Sequence, residues 1–241
     1  MQLSSETKRN IQIALLAAMV LAAGRTGYIL YRRYADQVES KKKAPPPLQA
    51  DYYVTPKKLH PYDLKSAREL TRQPVWVKEG YRYTAYAYDH ARRHTDFSKP
   101  EGTLLPIERL EIKDVVFDTA AEAPGQRLLM ALFEKEGSTR AVQVGVEKDQ
   151  NFQIYSDEMF YIQDPRQLYW HWPGDVWDSI AKHEVKPGMN ELQADFAIGM
   201  GIPERSSDPT VKTVNYPNGG NPLSITYRDG RAAEIKVGPA A

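Results

Sequence analysis

The sequence predicts an α+β protein in three parts. These are an N-terminal transmembrane or signal helix, a small β-barrel or sandwich in the middle, and a C-terminal unit of two helices followed by three strands. Three observations predict it. Residues 11–31 form an apolar run with basic flanks. Between residues 81 and 162 short alternating segments recur, separated by turn residues. Residues 185–237 read as a capped helix and three β runs, with Asp229-Gly230 between the last two.

Composition sets the outer bounds. A chain of 241 residues with 41% hydrophobic content builds one or two ordinary domains. The net charge is only +1, but residues 1–60 hold ten Lys or Arg against four acids, so the rest is acidic. Basic character concentrated beside an apolar run points to a membrane surface, not to nucleic acid. The chain has no cysteine, which excludes disulfides, thiol chemistry and Cys-ligated metal. It also suits an oxidising envelope compartment.

Lys8-Arg9 precede the run IQIALLAAMVLAAG at 11–24, and Arg25 follows it. A signal peptide needs a basic start, an apolar stretch and small residues before the cut, and residues 20–23 supply them. A retained anchor over 11–31 has about the 20 residues needed to cross a bilayer. Arg25 opposes a span, at about 2.5–3.5 kcal/mol if central, but it lies toward one end and can snorkel. Tyr28, Tyr31, Arg32 and Arg33 form an interfacial girdle that a cleaved signal does not need, so the anchor is preferred. A buried soluble helix is the third reading. The expected plan is a cytoplasmic tail over 1–10, the anchor over 11–31, and a stalk with a short helix over 32–72. The stalk includes KKKAPPP at 41–47, an extended proline-rich joint. Asp63 is the expected cap of the short helix and Pro74 its end.

Residues 73–165 read as β. Expected strands cover 81–88, 110–117, 128–133, 140–146 and 152–155, with 159–162 a possible sixth. Turns fall at Glu136-Gly137, residues 149–151 and residues 123–125. Val142, Val144 and Val146 are expected on one face. Short strands at this spacing suggest an SH3-like or OB-like barrel, or a sandwich. A helix over 176–182, capped by Asp175, is expected to join this part to residues 166–238.

In the C-terminal stretch Pro187-Gly188 breaks the chain, and Asn190 with Gln193 form a capping box. A helix should start at Glu191, with Leu192 and Phe196 on one face and Gly199, Gly201 and Pro203 ending it. Strands follow over 211–216, 223–227 and 232–237, and Asp229-Gly230 is the strongest hairpin signal in the chain.

These residues resemble a known family. Gly188-Met189 before a short helix, then Phe196, Gly199, Pro203 and Tyr216, then Tyr227 ahead of Asp229-Gly230 and a last apolar strand, are similar to the BamE-like (SmpA/OmlA) domain. The likeness covers about the last quarter of the chain and concerns fold-determining positions more than activity. It implies an ααβββ arrangement, a periplasmic location and a role among envelope proteins. Family members carry a lipidated N-terminal cysteine, which this chain lacks, so its membrane attachment must differ. The orientation cues disagree. Arg32, Arg33 and Lys41–Lys43 favour a cytoplasmic C-terminal side, whereas the resemblance favours a single-pass inner-membrane protein with its folded part in the periplasm.

Three groups of residues carry chemical interest. Tyr169 to Trp172, with Trp177, form the densest aromatic cluster. It is either a stacking platform for sugars or peptides or the glue between two folded parts, and the second is preferred. Tyr83, Tyr86 and Tyr88 line one strand, more as a buried strand than as a ligand site. Asp157, Glu158, His171, Asp175, Asp178 and His183 are the only group suited to hydrolytic or metal chemistry, but none has diagnostic metal spacing. No phosphate loop, nucleophile elbow or HExxH is present. His90 to His94 form a basic loop.

The expectation is a membrane-anchored, non-catalytic binding or assembly subunit without cofactor or metal. Its partners are the lipid bilayer and other envelope or membrane proteins, not nucleic acid. The alternative is an SH3-like module recognising peptidoglycan, peptide or sugar. The residues expected to bind are Tyr83, Tyr86, Tyr88, Trp170, Trp172, Trp177 and Tyr216.

Overall fold

The computed structural model describes residues 5–42, 50–80, 82–119, 126–206, 208 and 210–238. The chain divides into two compact units, Met1–Gln49 and Ala50–Ala241.

The first unit contains one helix, α1 (Ser5–Lys42). Its apolar side chains lie open: Leu16, Met19, Val20, Leu21, Ile29 and Leu30 are all exposed, as are Tyr28, Tyr31 and Tyr34. Among the described residues no helix is long and apolar enough to cross a membrane. The side chains of residues 11–15 and 17–18, within the expected span, lie outside the described set. The same holds for residues 43–49, where the proline-rich joint was expected, and for the expected turn at 123–125.

The second unit opens with a 3-10 turn, Ala50–Tyr53. The short helix α2 (Leu64–Ala67) follows, with Asp63 and Ser66 as a reciprocal capping box, then a second 3-10 turn, Arg68–Arg72. Three small strands form one antiparallel sheet in the order β4-β1-β9, namely β1 (Val75–Val77), β4 (Arg109–Leu110) and β9 (Phe160–Tyr161).

The large sheet has the order β3-β2-β7-β6-β5. Its strands are β2 (Thr84–Asp89), β3 (His94–Thr103), β5 (Ile112–Thr119), β6 (Gln126–Lys135) and β7 (Ser138–Lys148). A sixth strand, β8 (Asn151–Ile154), pairs with the C-terminal half of β7, and β2 with its N-terminal half. Tight turns set the registers. Glu136-Gly137 and Asp149-Gln150 both have positive φ at two successive residues, as a two-residue hairpin loop with matching twist requires.

This sheet is not the closed barrel that the sequence suggested. Its edge strands β3 and β5 meet through a side chain. The buried Asp118 carboxylate accepts the Thr95 backbone N–H at 2.6 Å and bonds His94 Nδ1 at 2.6 Å. The expected row of three inward valines is also corrected. Leu129 pairs with Gly145 and Met130 with Gln143, so Val144 is an extra residue in the ladder. Val142 and Val144 therefore enter one core and Val146 the opposite one, because a bulge reverses the alternation beyond it.

Both faces of the large sheet are apolar. Leu129, Ala131 and Phe133 pack toward Ala67, Leu70, Val75, Val77 and Phe160. The alternate residues Leu128, Met130 and Leu132 pack with Tyr88, Phe97, Val116 and Val146.

Three more short helices follow: α3 (Ser156–Met159), α4 (Pro165–Leu168) and α5 (Gly174–Ala181). Pro173 precedes α5 and Asp175 lies inside its first turn, so Asp175 is not the expected cap. Helix α6 (Glu191–Ile198) starts where expected, with the Asn190–Gln193 box formed and Gly199 at φ 85° ending it. The last sheet has the order β10-β11-β12-β13: β10 (Ile202–Pro203), β11 (Val211–Tyr216), β12 (Leu223–Arg228) and β13 (Arg231–Val237). A third 3-10 turn, Asn218–Gly220, links β11 to β12. Asp229 and Gly230 form the expected turn, with φ 48° and 74°. β10 was not expected; Pro203 is tolerated there because it sits on an edge strand.

Candidate functional site

Phe196 is fully buried on α6 and collects the aromatic cluster around it. Ring centroids of Trp172 and Tyr169 lie 5.0 and 5.1 Å from it, Tyr161 lies at 6.0 Å and Trp177 at 6.3 Å. Trp76 and Ile107 pack against the same core from the β region. The Asp51 carboxylate ties the start of the unit to this cluster. It accepts hydrogen bonds from Trp172 Nε1 at 2.7 Å and Asn190 Nδ2 at 2.7 Å, and bonds His171 Nε2 at 2.6 Å. Tyr169, Trp172 and Trp177 are thus buried, whereas Trp170 is 80% exposed.

The other residues expected to bind separate into different places. Tyr216 is buried in the same core as Trp172 and Trp177, its hydroxyl 2.8 Å from that of Tyr227. Tyr83 packs against one face of the large sheet and Tyr88 against the other. Tyr86 meets Phe97 edge-on at 5.3 Å. Tyr83, Tyr86, Tyr88 and Trp172 therefore do not share one concave surface.

Of the acids and histidines of residues 157–183, Asp157, His171 and His183 make separate structural contacts. Asp157 accepts the backbone N–H groups of Leu59 and His60 at 3.0 and 2.8 Å. His171 bonds Asp51, and His183 Nδ1 lies 2.9 Å from the Ala197 carbonyl. Among the described residues no group of His, Cys, Asp and Glu could hold a metal ion. The expected basic loop is the β2–β3 turn, in which Asp89 accepts the N–H groups of Ala91 and Arg92.

Two carboxyl groups lie near α6, Glu79 half-buried and Asp195 buried. Glu79 accepts the Tyr161 hydroxyl at 2.9 and 3.1 Å, and burial pushes its pKa above the usual carboxylate range. Asp195 is only 9% exposed, and its Oδ1 has no hydrogen-bond partner among the described residues. Burial, with Glu191 one helical turn back, pushes it up to about 7. Burial likewise raises the Tyr161 and Tyr216 hydroxyls.

Where the β region meets α6, a cleft of about 240 Å³ opens. Arg82, Leu104, His183, Ile198, Asn218 and Asn221 are among its walls. A neighbouring cavity of about 390 Å³ shares Leu105, Pro106 and His183 with it, and reaches Trp76, Ile107 and Trp177. These residues come from five separate stretches of chain. Of them, the sequence had singled out His183 and Trp177, for other groupings.

No family model, curated protein or solved structure matches this chain.

Proposed function

We propose that the protein is a non-catalytic binding or assembly subunit of the cell envelope. In this reading α1 holds it to the membrane, and the folded unit 50–241 is a BamE-like binding module on the periplasmic side. The distribution of exposure carries the reading. Six aliphatic or methionine side chains and three tyrosines stand exposed on one helix, whereas most large aromatics of the folded unit are packed in its cores and Tyr52, Tyr53, Tyr62 and Trp170 are exposed. Exposed apolar surface of that extent marks a lipid or protein contact. The order of two helices followed by an antiparallel sheet supports the BamE-like assignment. Of the acids that could carry hydrolytic chemistry, Asp157 is occupied in tethering backbone, which supports binding over catalysis.

The absence of cysteine in the sequence provides a direct test. Trp170→Cys places one thiol at a highly exposed position. The full chain is expected to sediment with membranes, and a membrane-impermeant maleimide is expected to label this thiol in intact spheroplasts. Labelling only after lysis would place the folded part in the cytoplasm, and recovery of the full chain in the soluble fraction would end the anchor reading.

A further inference from the structure

The cleft where segments 78–82 and 103–106 face the end of α6 has an unbalanced set of polar groups. Arg82 is exposed on its wall, and among the described residues its guanidinium has no hydrogen-bond or ion-pair partner. The same is true of the side-chain amides of Asn218 and Asn221. His183 is held by Nδ1 against the Ala197 carbonyl, which leaves Nε2 as the polar atom of the ring still open to a ligand. Lys78 also lines the cleft, but its Nζ donates to the Asp157 carbonyl and stands 5.0 Å from the centre of the Tyr161 ring. Opposing these donors, the described lining holds one acid, Glu79, whose two oxygens accept the Tyr161 hydroxyl.

The rest of the wall is apolar. Leu104 and Ile198 are buried with their surfaces toward this space, and Leu105 and Pro106 form a ridge leading to the adjoining cavity beside Trp76 and Trp177. A compact phosphate would draw on several cations and gain nothing from that ridge. A planar carboxylate suits a single guanidinium fork, and an apolar continuation suits the ridge.

We propose that this cleft binds the carboxylate of an extended peptide segment, with Arg82 as the charged contact and an apolar residue of the peptide against Leu105 and Pro106. This deepens the binding-subunit reading and rests on it, by giving the partner a chemical class. The carboxylate can belong to a chain terminus or to an Asp side chain, and two probes separate them.

The full chain in detergent is titrated with acetyl-Ala-Ala-Leu-Ala as the free acid, with its C-terminal amide, and with amidated acetyl-Ala-Asp-Leu-Ala. Tryptophan emission is the readout, since Trp76 and Trp177 line the adjoining cavity. Binding is expected at millimolar peptide or better for at least one carboxylate probe, and at least tenfold weaker for the neutral amide. Preference for the free acid assigns a chain terminus, and preference for the Asp peptide a side chain. Arg82→Ala, at an exposed position, is expected to weaken binding at least tenfold, or about 1.4 kcal/mol, while Arg82→Lys keeps part of it. Equal binding of acid and amide would overturn the proposal, as would an unchanged Arg82→Ala. Binding of inorganic phosphate without either peptide, or no binding at all, would also overturn it. The spheroplast labelling of Trp170→Cys is independent of Arg82, so failure here leaves the membrane reading standing.

Discussion

The two main sheets of the folded unit bury themselves differently. In the C-terminal sheet, Val214, Tyr216, Ile225 and Tyr227 point into one core, while their neighbours Thr213, Asn215, Ser224 and Thr226 form the opposite face. In the large sheet, consecutive residues of β6 enter two cores: Leu128, Met130 and Leu132 one, and Leu129, Ala131 and Phe133 the other. A one-faced sheet declares its register in sequence, because a slip of one residue would expose every apolar side chain. A two-faced sheet reads as a continuous apolar run, and its wrapping is decided by edges and bulges that no period reveals.

The largest expected effect lies in the one-faced sheet's core. Phe196→Ala removes the ring on which Tyr161, Tyr169, Trp172 and Trp177 converge, and should cost about 3–5 kcal/mol in denaturant unfolding. A loss below about 1 kcal/mol would mean that the aromatic cluster does not depend on its centre.

Turn chemistry gives the next effect. Gly230 has φ 74°, which a β-branched residue resists, so Gly230→Val should cost about 1–3 kcal/mol. At Gly238 a side chain would meet the Pro222 ring at 3.2 Å and its carbonyl at 3.3 Å, contacts that a few tenths of an ångström relieve, so Gly238→Val should cost less. Equal melting temperatures would contradict the hairpin as the register-setting element of this sheet.

A pH-dependent effect concerns the same core. The folded pKa of Asp195 is raised to about 7 from an ordinary value near 3.8. Between these values the unfolded chain ionises and the folded one does not. Stability contributed by the neutral carboxyl is therefore full below pH 4 and falls as pH rises toward 7, by at most about 1.4 kcal/mol per pH unit. Asp195→Asn should flatten this part of the stability profile, measured by urea unfolding at pH 4–7. A profile unchanged by the substitution would assign the slope to other groups.

The same contrast explains what the sequence disclosed. Helix α6 and strands β11 to β13 were legible from Asn190 with Gln193, from the alternation of residues 223–227, and from Asp229-Gly230. Strand β3, HTDFSKPEGT, was not, because an exposed edge strand carries no apolar period and this one contains Pro100 and Gly102. The barrel expectation failed at Val144 and Asp118, one an extra residue in a ladder and the other a side chain linking two edges. The packing of Trp172 and Trp177 followed from the aromatic density of this stretch and, for Trp177, from the short helix that carries it. The cleft stayed hidden because Arg82, His183, Ile198 and Asn221 meet only after the chain has folded.

We propose that the aromatic residues around Phe196 join the small β4-β1-β9 sheet to the C-terminal sheet in one cooperative unit and are not a ligand platform. The most direct measurement is thermal unfolding of Trp177→Ala beside Trp170→Ala, followed by both near-ultraviolet circular dichroism and calorimetry. Trp177 is 7% exposed and Trp170 80% exposed. Trp177→Ala is expected to lose about 3–5 kcal/mol and to split the transition or melt the C-terminal sheet first, while Trp170→Ala stays within about 0.5 kcal/mol of the parent. An intact single transition at the parent temperature for Trp177→Ala would contradict the claim.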